Sequence, residues 1–295
     1  MKNLAAHPGA AIVLLLYAAL LRGAYAGPAC VGGPETRVKV AAIDERLDVA
    51  LADGREARLS GLDLPDPGRG DPATAAAARS FLSSWLVDRE VGLRALSPKP
   101  DRWDRAVVEL YAAPPAEDAV SPSQTHAPAG SGAAAPEISV SLRLLAAGFA
   151  RVRPEVETRS CLDERRATER EAREKRLGLW RDPYYGVVEA ADLDKLLERD
   201  GQFTLVEGTP WRVGEGRSRY FVDFALHRGF TFVIPKKRAK DFEKAGLTIS
   251  GLTGAKILVR GALDDRFGPR MEAWEPDAIE RLDVDDKARR TGGTP

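Results

Sequence analysis

The chain has 295 residues, 44% of them hydrophobic and 30% charged, which allows two ordinary domains and excludes wholesale disorder and a multi-span membrane protein. Its 44 lysines and arginines balance 44 aspartates and glutamates, which argues against a polybasic coat for nucleic acid or membrane. Two cysteines and three histidines, with no CxxC, support neither a disulfide scaffold nor a structural zinc site.

Residues 1–26 read as an export signal. Lys2 precedes an apolar run over 10–21 that is too short to span a bilayer comfortably, and Ala24-Tyr25-Ala26 supplies an A-x-A cleavage pattern. Cleavage removes Lys2 and Arg22 and no acid, leaving 42 basic against 44 acidic residues, a formal charge of −2. The mature protein is expected to be exported, periplasmic or secreted, with no membrane span. Cys30 and Cys161 both survive cleavage, so in an oxidising compartment they are the candidates for one disulfide.

From 38 to 110 the pattern is mainly strands. Val38 and Val40 begin an alternating run that Leu47, Val49 and Leu51 continue to Asp53-Gly54, a hairpin signal, before Arg58 and Leu59 return. Ala78, Phe81, Leu82, Trp85 and Leu86 recur at helical spacing, with Asp71 or Thr74 as the cap and Pro72 at the start. Val91 and Leu93, then Val107, Val108 and Leu110, predict two further strands around Asp101-Arg102-Trp103-Asp104-Arg105. Residues 112–136, dominated by Ala, Pro, Ser and Gly, are expected to be a disordered insert. Ile138, Leu142, Leu145 and Phe149 mark a short helix. Residues 161–177 mark a charged one, whose charge run reads as a solvated face and which ends at Gly178-Leu179-Trp180.

A second module follows over 190–282. A short helix near 191–199 leads to strands over 203–213, 219–226 and 229–234, an amphipathic segment 236–245, and strands over 256–263 and 270–274, a pattern suggesting a small β-barrel. Its aromatics, Tyr220, Phe221, Phe224, Phe230, Phe232 and Trp274, alternate mainly as a core face should, with Phe221 on the other face. Lys236, Lys237, Arg238 and Lys240 form a compact basic run, read as a solvated helix start, and residues 283–295 a polar tail.

Three motifs in order carry a family resemblance: Arg58-Leu59-Ser60-Gly61-Leu62-Asp63-Leu64-Pro65-Asp66, then Asp101-Arg102-Trp103-Asp104-Arg105, then Gly178-Leu179-Trp180. Residues 37–180, apart from the insert, resemble the staphylococcal-nuclease-like (thermonuclease) family, within a domain expected over 37–181. The resemblance implies an α+β, mainly β protein built on an OB-fold barrel with capping helices, here followed by a second small OB-like barrel. In active members a Ca²⁺ ion held by carboxylates sits beside two arginines, and an acid activates water against a phosphodiester. Hard oxygen ligands suit that ion, and planar guanidinium forks suit phosphate. By match to the motifs, Arg58 and Arg105 are the two phosphate arginines, Asp63 is a metal ligand and Asp66 the general base.

Departures from the family pattern weaken the metal site. Where the family carries Asp-Gly-Asp-Thr, this chain has Ile43-Asp44-Glu45-Arg46-Leu47-Asp48. One counting frame puts Arg46 at the ligand position and the other puts Leu47 there, and neither side chain binds calcium. Asp48 lies one residue off the second frame, on the opposite face of a regular strand unless a bulge restores it; Asp44 or Glu45 reaching in from another position is the remaining alternative. Asp66 replaces the usual Glu, and Asp104 the usual Gly. Calcium binding is therefore expected to be weak or absent.

Three functions follow as expectations. The first is a degenerate thermonuclease-like protein that binds nucleic acid or another phosphodiester through Arg46, Arg58 and Arg105. The second is an active Ca²⁺-dependent nuclease with a rearranged ligand set. The third is a non-catalytic envelope interaction module, with a protein partner on the second barrel.

Overall fold

The computed structural model describes residues 33–115, 137–226 and 229–282. The export signal, Cys30, His126, most of the insert, His227 and the polar tail lie outside the described residues, so the Cys30–Cys161 pairing is not described either.

The first β-layer comprises β1 (Thr36–Ile43), β2 (Val49–Leu51), β3 (Glu56–Leu59), β5 (Glu90–Ala95), β6 (Ala106–Ala112) and β7 (Ile138–Ser139), in the order β3-β2-β1-β5-β6-β7. A parallel pairing of Ala57, Arg58 and Leu59 with Ala106, Val107 and Val108 joins β3 to β6 and closes five of these strands into a barrel. Closure leaves no edge along that seam, and it brings the Arg58 motif against the strand that follows Arg105. Val40, Val49, Leu51, Leu59, Val91 and Leu110 fill the barrel. Helix α1 (Pro72–Leu86) lays Ala78, Leu82, Trp85 and Leu86 on it, with Asp71 accepting from Ala73 N as the cap and Pro72 at the first helical position. Burying each of the larger of these side chains contributes about 1.5–3 kcal/mol.

The predicted helix at Ile138 begins later than expected. Ile138 and Ser139 extend the sheet as β7, and Ser139 caps α2 (Val140–Ala146) by accepting from Leu142 N. A two-stranded ribbon, β4 (Leu62–Asp63) with β8 (Arg151–Val152), crosses the barrel end. Gly178 sits at φ 50°, where an added Cβ would collide with Gly148 O, which accepts from Leu179 N at 2.8 Å. That close approach explains the glycine of Gly178-Leu179-Trp180.

The C-terminal module is an eight-stranded sheet of β9 (Val188–Glu189), β10 (Phe203–Gly208), β11 (Arg212–Glu215), β12 (Arg219–Asp223), β13 (Thr231–Pro235), β14 (Ile257–Asp264), β15 (Arg270–Glu272) and β16 (Ile279–Arg281). The path runs β11-β12-β13-β15-β14-β10-β9, with β16 on β14. The stretch read as one strand over 203–213 is two, broken at Thr209-Pro210. Helices α4 (Leu193–Leu197) and α5 (Ala239–Lys244) flank the sheet, and Phe230, Phe232, Phe242 and Ile234 lie in its core while Phe221 is exposed.

The expectation of a solvated charged helix is corrected. Helix α3 (Leu162–Glu174) is held between the two β-layers, and Arg165 and Glu169 are each only 2% exposed. Arg165 pairs with Glu109 on β6, and Glu169 pairs with Arg260 on β14. The exposed side keeps a local pair, Glu171 with Lys175 at 3.7 Å, but the buried charges misled because their partners are distant in sequence. Leu179, Trp180, Tyr185, Leu205 and Leu258 form a further apolar cluster that joins the layers.

Candidate functional site

A cleft of about 1190 Å³ opens on the barrel, lined by the Asp44–Asp48 turn, the Arg58 and Asp63–Asp66 segments, Asp101–Arg105, Arg153 and Glu155. Three turns aim its side chains. At the first, Asp44 Oδ1 accepts from Arg46 N and Asp48 N, and Leu47 adopts φ 66°. A left-handed leucine costs about 1–2 kcal/mol. Here it is fully buried, which offsets that cost. The turn overrides strand alternation: Leu47, Asp48 and Val49 are buried in succession, and Asp48 enters the cleft instead of the opposite face. The irregularity that brings it in is this left-handed residue, two before the start of β2. Arg46 is exposed at the cleft's edge.

At the second turn Asp101 Oδ1 accepts from Trp103 N at 3.0 Å and Arg105 N at 3.1 Å. Asp104 stands at φ 64°, so it fills the backbone role of the family's glycine with a residue type that tolerates it. Arg105 pairs with Asp101 and not with Asp104: Asp101 Oδ2 accepts from Nε at 3.0 Å and Nη2 at 2.7 Å, while Arg105 Nη1 reaches Asp48 Oδ2 at 2.6 Å. Burial pushes the Asp48 carboxyl above the usual range, against the pull of Arg105.

The third turn presents Arg58 and Asp63. Arg58 makes a bidentate pair with Glu155, Nη1 to Oε1 at 2.9 Å and Nη2 to Oε2 at 3.2 Å, and its Nε lies 3.5 Å from Asp101 Oδ2. Glu155 also accepts from Ser60 Oγ at 2.6 Å and Gly61 N at 3.1 Å. Gly61, at φ 74°, lies where a Cβ would collide with Arg165 Nη1 and Thr158, which explains the glycine of this motif. Asp63 Oδ2 accepts from Arg151 Nε at 2.9 Å and Nη2 at 2.7 Å. Asp66 turns its carboxylate outward, where it accepts from Gly68 N and lies 3.6 Å from Arg69.

Arg58 and Arg105 thus meet through Asp101. Asp48 and Asp63 line the same cleft, each on an arginine of its own. Glu155, Arg151 and Arg153 are cleft or cleft-backing residues outside the motifs, with the pair of arginines two residues apart before Pro154-Glu155 as their one sequence signal; Arg102 stands inside the second motif, without a role predicted for it. Arg46, Arg102 and Arg153 form no ion pair among the described residues. Arg102 lies 3.8 Å over the ring of Trp103, which is 56% exposed, and Arg153 lies over Phe203.

Burial alone would raise the Glu155 carboxyl, but Arg58, Ser60 and Gly61 N together hold it below the usual glutamate range. A depressed folded-state pKa contributes stability above the unfolded value, lost as pH falls through the folded value. Thermal melts from about pH 6 down to about pH 3 should therefore fall most steeply below about pH 4.3, and Glu155→Gln should flatten that part of the curve.

A hard cation such as Ca²⁺ needs about six to eight oxygen ligands. Among the described residues, the group of three acidic side chains whose oxygens lie within 4.8 Å of one another is Asp200, Asp264 and Asp265, none of which lines this cleft, and Asp264 is held by Arg266 and Arg270. In the cleft, Asp48, Asp63, Asp101 and Glu155 are all engaged by guanidinium groups, Asp44 and Asp66 accept from backbone amides of their own turns, and among these acids and Glu45 no three carboxylates bring oxygens within 4.8 Å of one another. This donor set does not fit a calcium ion.

Among the described residues no helix is long and apolar enough to cross a membrane. No curated protein matches the chain. The family model described as staphylococcal nuclease homologue matches residues 56–182. The match begins at β3 and so leaves out the Asp44–Asp48 turn, where the ligand pattern departs. Residues 56–182 accordingly lie in a domain similar to the staphylococcal nuclease homologue family, with an OB-type barrel.

Proposed function

We propose that the protein is exported and that its cleft binds a phosphodiester, most fittingly a nucleic-acid strand, with hydrolysis weak or lost. The family domain suggests the ligand class, and the pairing of the cleft carboxylates with arginines carries the rest. A guanidinium stabilises phosphate charge, but it does not generate a hydroxide nucleophile as a metal ion does. Binding then rests on Arg46, Arg102 and Arg153 around the Arg58–Asp101–Arg105 centre.

Fluorescence polarisation with a labelled single-stranded oligonucleotide, in EDTA and in CaCl₂, with a cleavage readout on the same samples, tests the proposal. Salt-sensitive binding without metal-stimulated cleavage is expected. Calcium-dependent cleavage lost in Asp63→Ala would establish a working nuclease. Neither binding nor cleavage would leave the interaction module as the better reading.

A further inference from the structure

The cation on Asp63 is seated by parts of the chain outside the family domain. Arg151 is 2% exposed. Besides its two bonds to Asp63 Oδ2, it donates from Nη1 to Tyr185 O at 3.1 Å and from Nη2 to Phe203 O at 2.9 Å. Its guanidinium carbon lies 5.3 Å from the Tyr185 ring centroid and 5.6 Å from that of Phe203. Tyr185 and Phe203 both follow residue 182, where the family match ends, and Phe203 begins β10 of the C-terminal sheet. Tyr185 reaches the same motif a second time, its hydroxyl accepting from Asp66 N at 3.0 Å and bonding Arg69 O at 3.1 Å.

We infer that Arg151 is a built-in cation that takes the place of a divalent ion on Asp63, fixed there by the C-terminal module, so that the cleft binds its ligand without metal. Only the identity of that ligand rests on the function proposed above. A metal ion taking Asp63 Oδ2 would have to displace a guanidinium that two backbone carbonyls also hold, and one approaching Oδ1 would meet that guanidinium on the same carboxylate. The carbonyls of Tyr185 and Phe203 hold it, and breaking the pair strands a buried charge. It would also sit beside that charge and be repelled by it. The position thus differs from a ligand merely lost by mutation, because the carboxylate is kept and its counter-ion is now part of the chain. Arg151 acts through Asp63 and is a positioning residue.

The test is a terbium(III) titration of the full chain, followed by luminescence, with calcium competition. The variants are Asp63→Asn, Arg151→Gln and the double Arg151→Gln/Asp63→Asn, each checked by circular dichroism. Wild type and Asp63→Asn should titrate alike. Arg151→Gln should bind terbium at least about tenfold more tightly, a gain abolished in the double variant. Asp63-dependent binding in the wild type would overturn the inference, and so would Arg151→Gln binding no more tightly than wild type. Should Arg151→Gln fail to fold, the comparison of wild type with Asp63→Asn decides alone. Failure of an oligonucleotide to bind would count against the function proposed above and would leave this metal readout intact.

Discussion

Truncation of Arg260 to alanine should destabilise the protein by about 3–5 kcal/mol, measured by urea unfolding, the largest loss expected from any one side chain of the charged layer. The Arg260 side chain is fully buried. Nη1 donates to Val152 O at 3.0 Å and Glu169 Oε2 at 2.8 Å, and Nη2 to Glu280 Oε2 at 2.7 Å. Two carboxylates and a carbonyl, from α3, β16 and β8, therefore converge on one guanidinium of β14. Glu280 keeps Arg170 at 3.0 Å when Arg260 is lost, but Glu169 keeps only the Val152 amide. Most of the penalty thus falls on Glu169. The variant Arg260→Met/Glu169→Gln, which fills the space and removes the stranded charge, should recover at least half of it. A loss below about 1 kcal/mol in Arg260→Ala would mean that water or another cation reaches Glu169, and that the layer is not the dry ionic contact its burial indicates.

The features legible in the sequence were those with local causes. Helix α1 announced itself by its period and by Asp71-Pro72, the hairpin by Asp53-Gly54, and the cleft arginines by two short motifs. The irregular stretch at 44–48 also stood out as a departure from the family pattern. Its geometry did not, because a left-handed Leu47 has no sequence signature and a strand argument assumes an unbroken period of two. The ionic layer failed for a different reason. Arg165, Glu169 and Arg170 find partners 56, 91 and 110 residues away, so only the fold tells a buried charge on α3 from a solvated one. Arg151 and Glu155 escaped notice in the same way: their meaning depends on Asp63, Arg58 and Phe203, and each of those contacts closes only when the barrel and the second sheet are in place.

The same distinction between committed and uncommitted charge sets the expectation for ligand binding. Arg58 and Arg105 are already bonded to Glu155, Asp101 and Asp48, so a phosphate must share them. Arg46, Arg102 and Arg153 are exposed on the same cleft and carry no such commitment among the described residues. Neutralising all three, as Arg46→Ala/Arg102→Ala/Arg153→Ala, should lower single-stranded oligonucleotide affinity on the order of 100-fold at low salt, taking about 1 kcal/mol for each exposed contact. The plot of log K against log salt should lose about 2 units of slope, since each phosphate contact on a single strand contributes about 0.7. The fold should tolerate the triple change, because none of the three side chains is buried or ion-paired in the described residues, whereas Arg58→Ala or Arg105→Ala would leave Glu155 or Asp48 without its counter-ion and mix a loss of stability into the binding signal. An unchanged slope in the triple variant would locate the nucleic-acid contacts elsewhere and remove the cleft from the proposed function, even if the unmodified protein binds the oligonucleotide well.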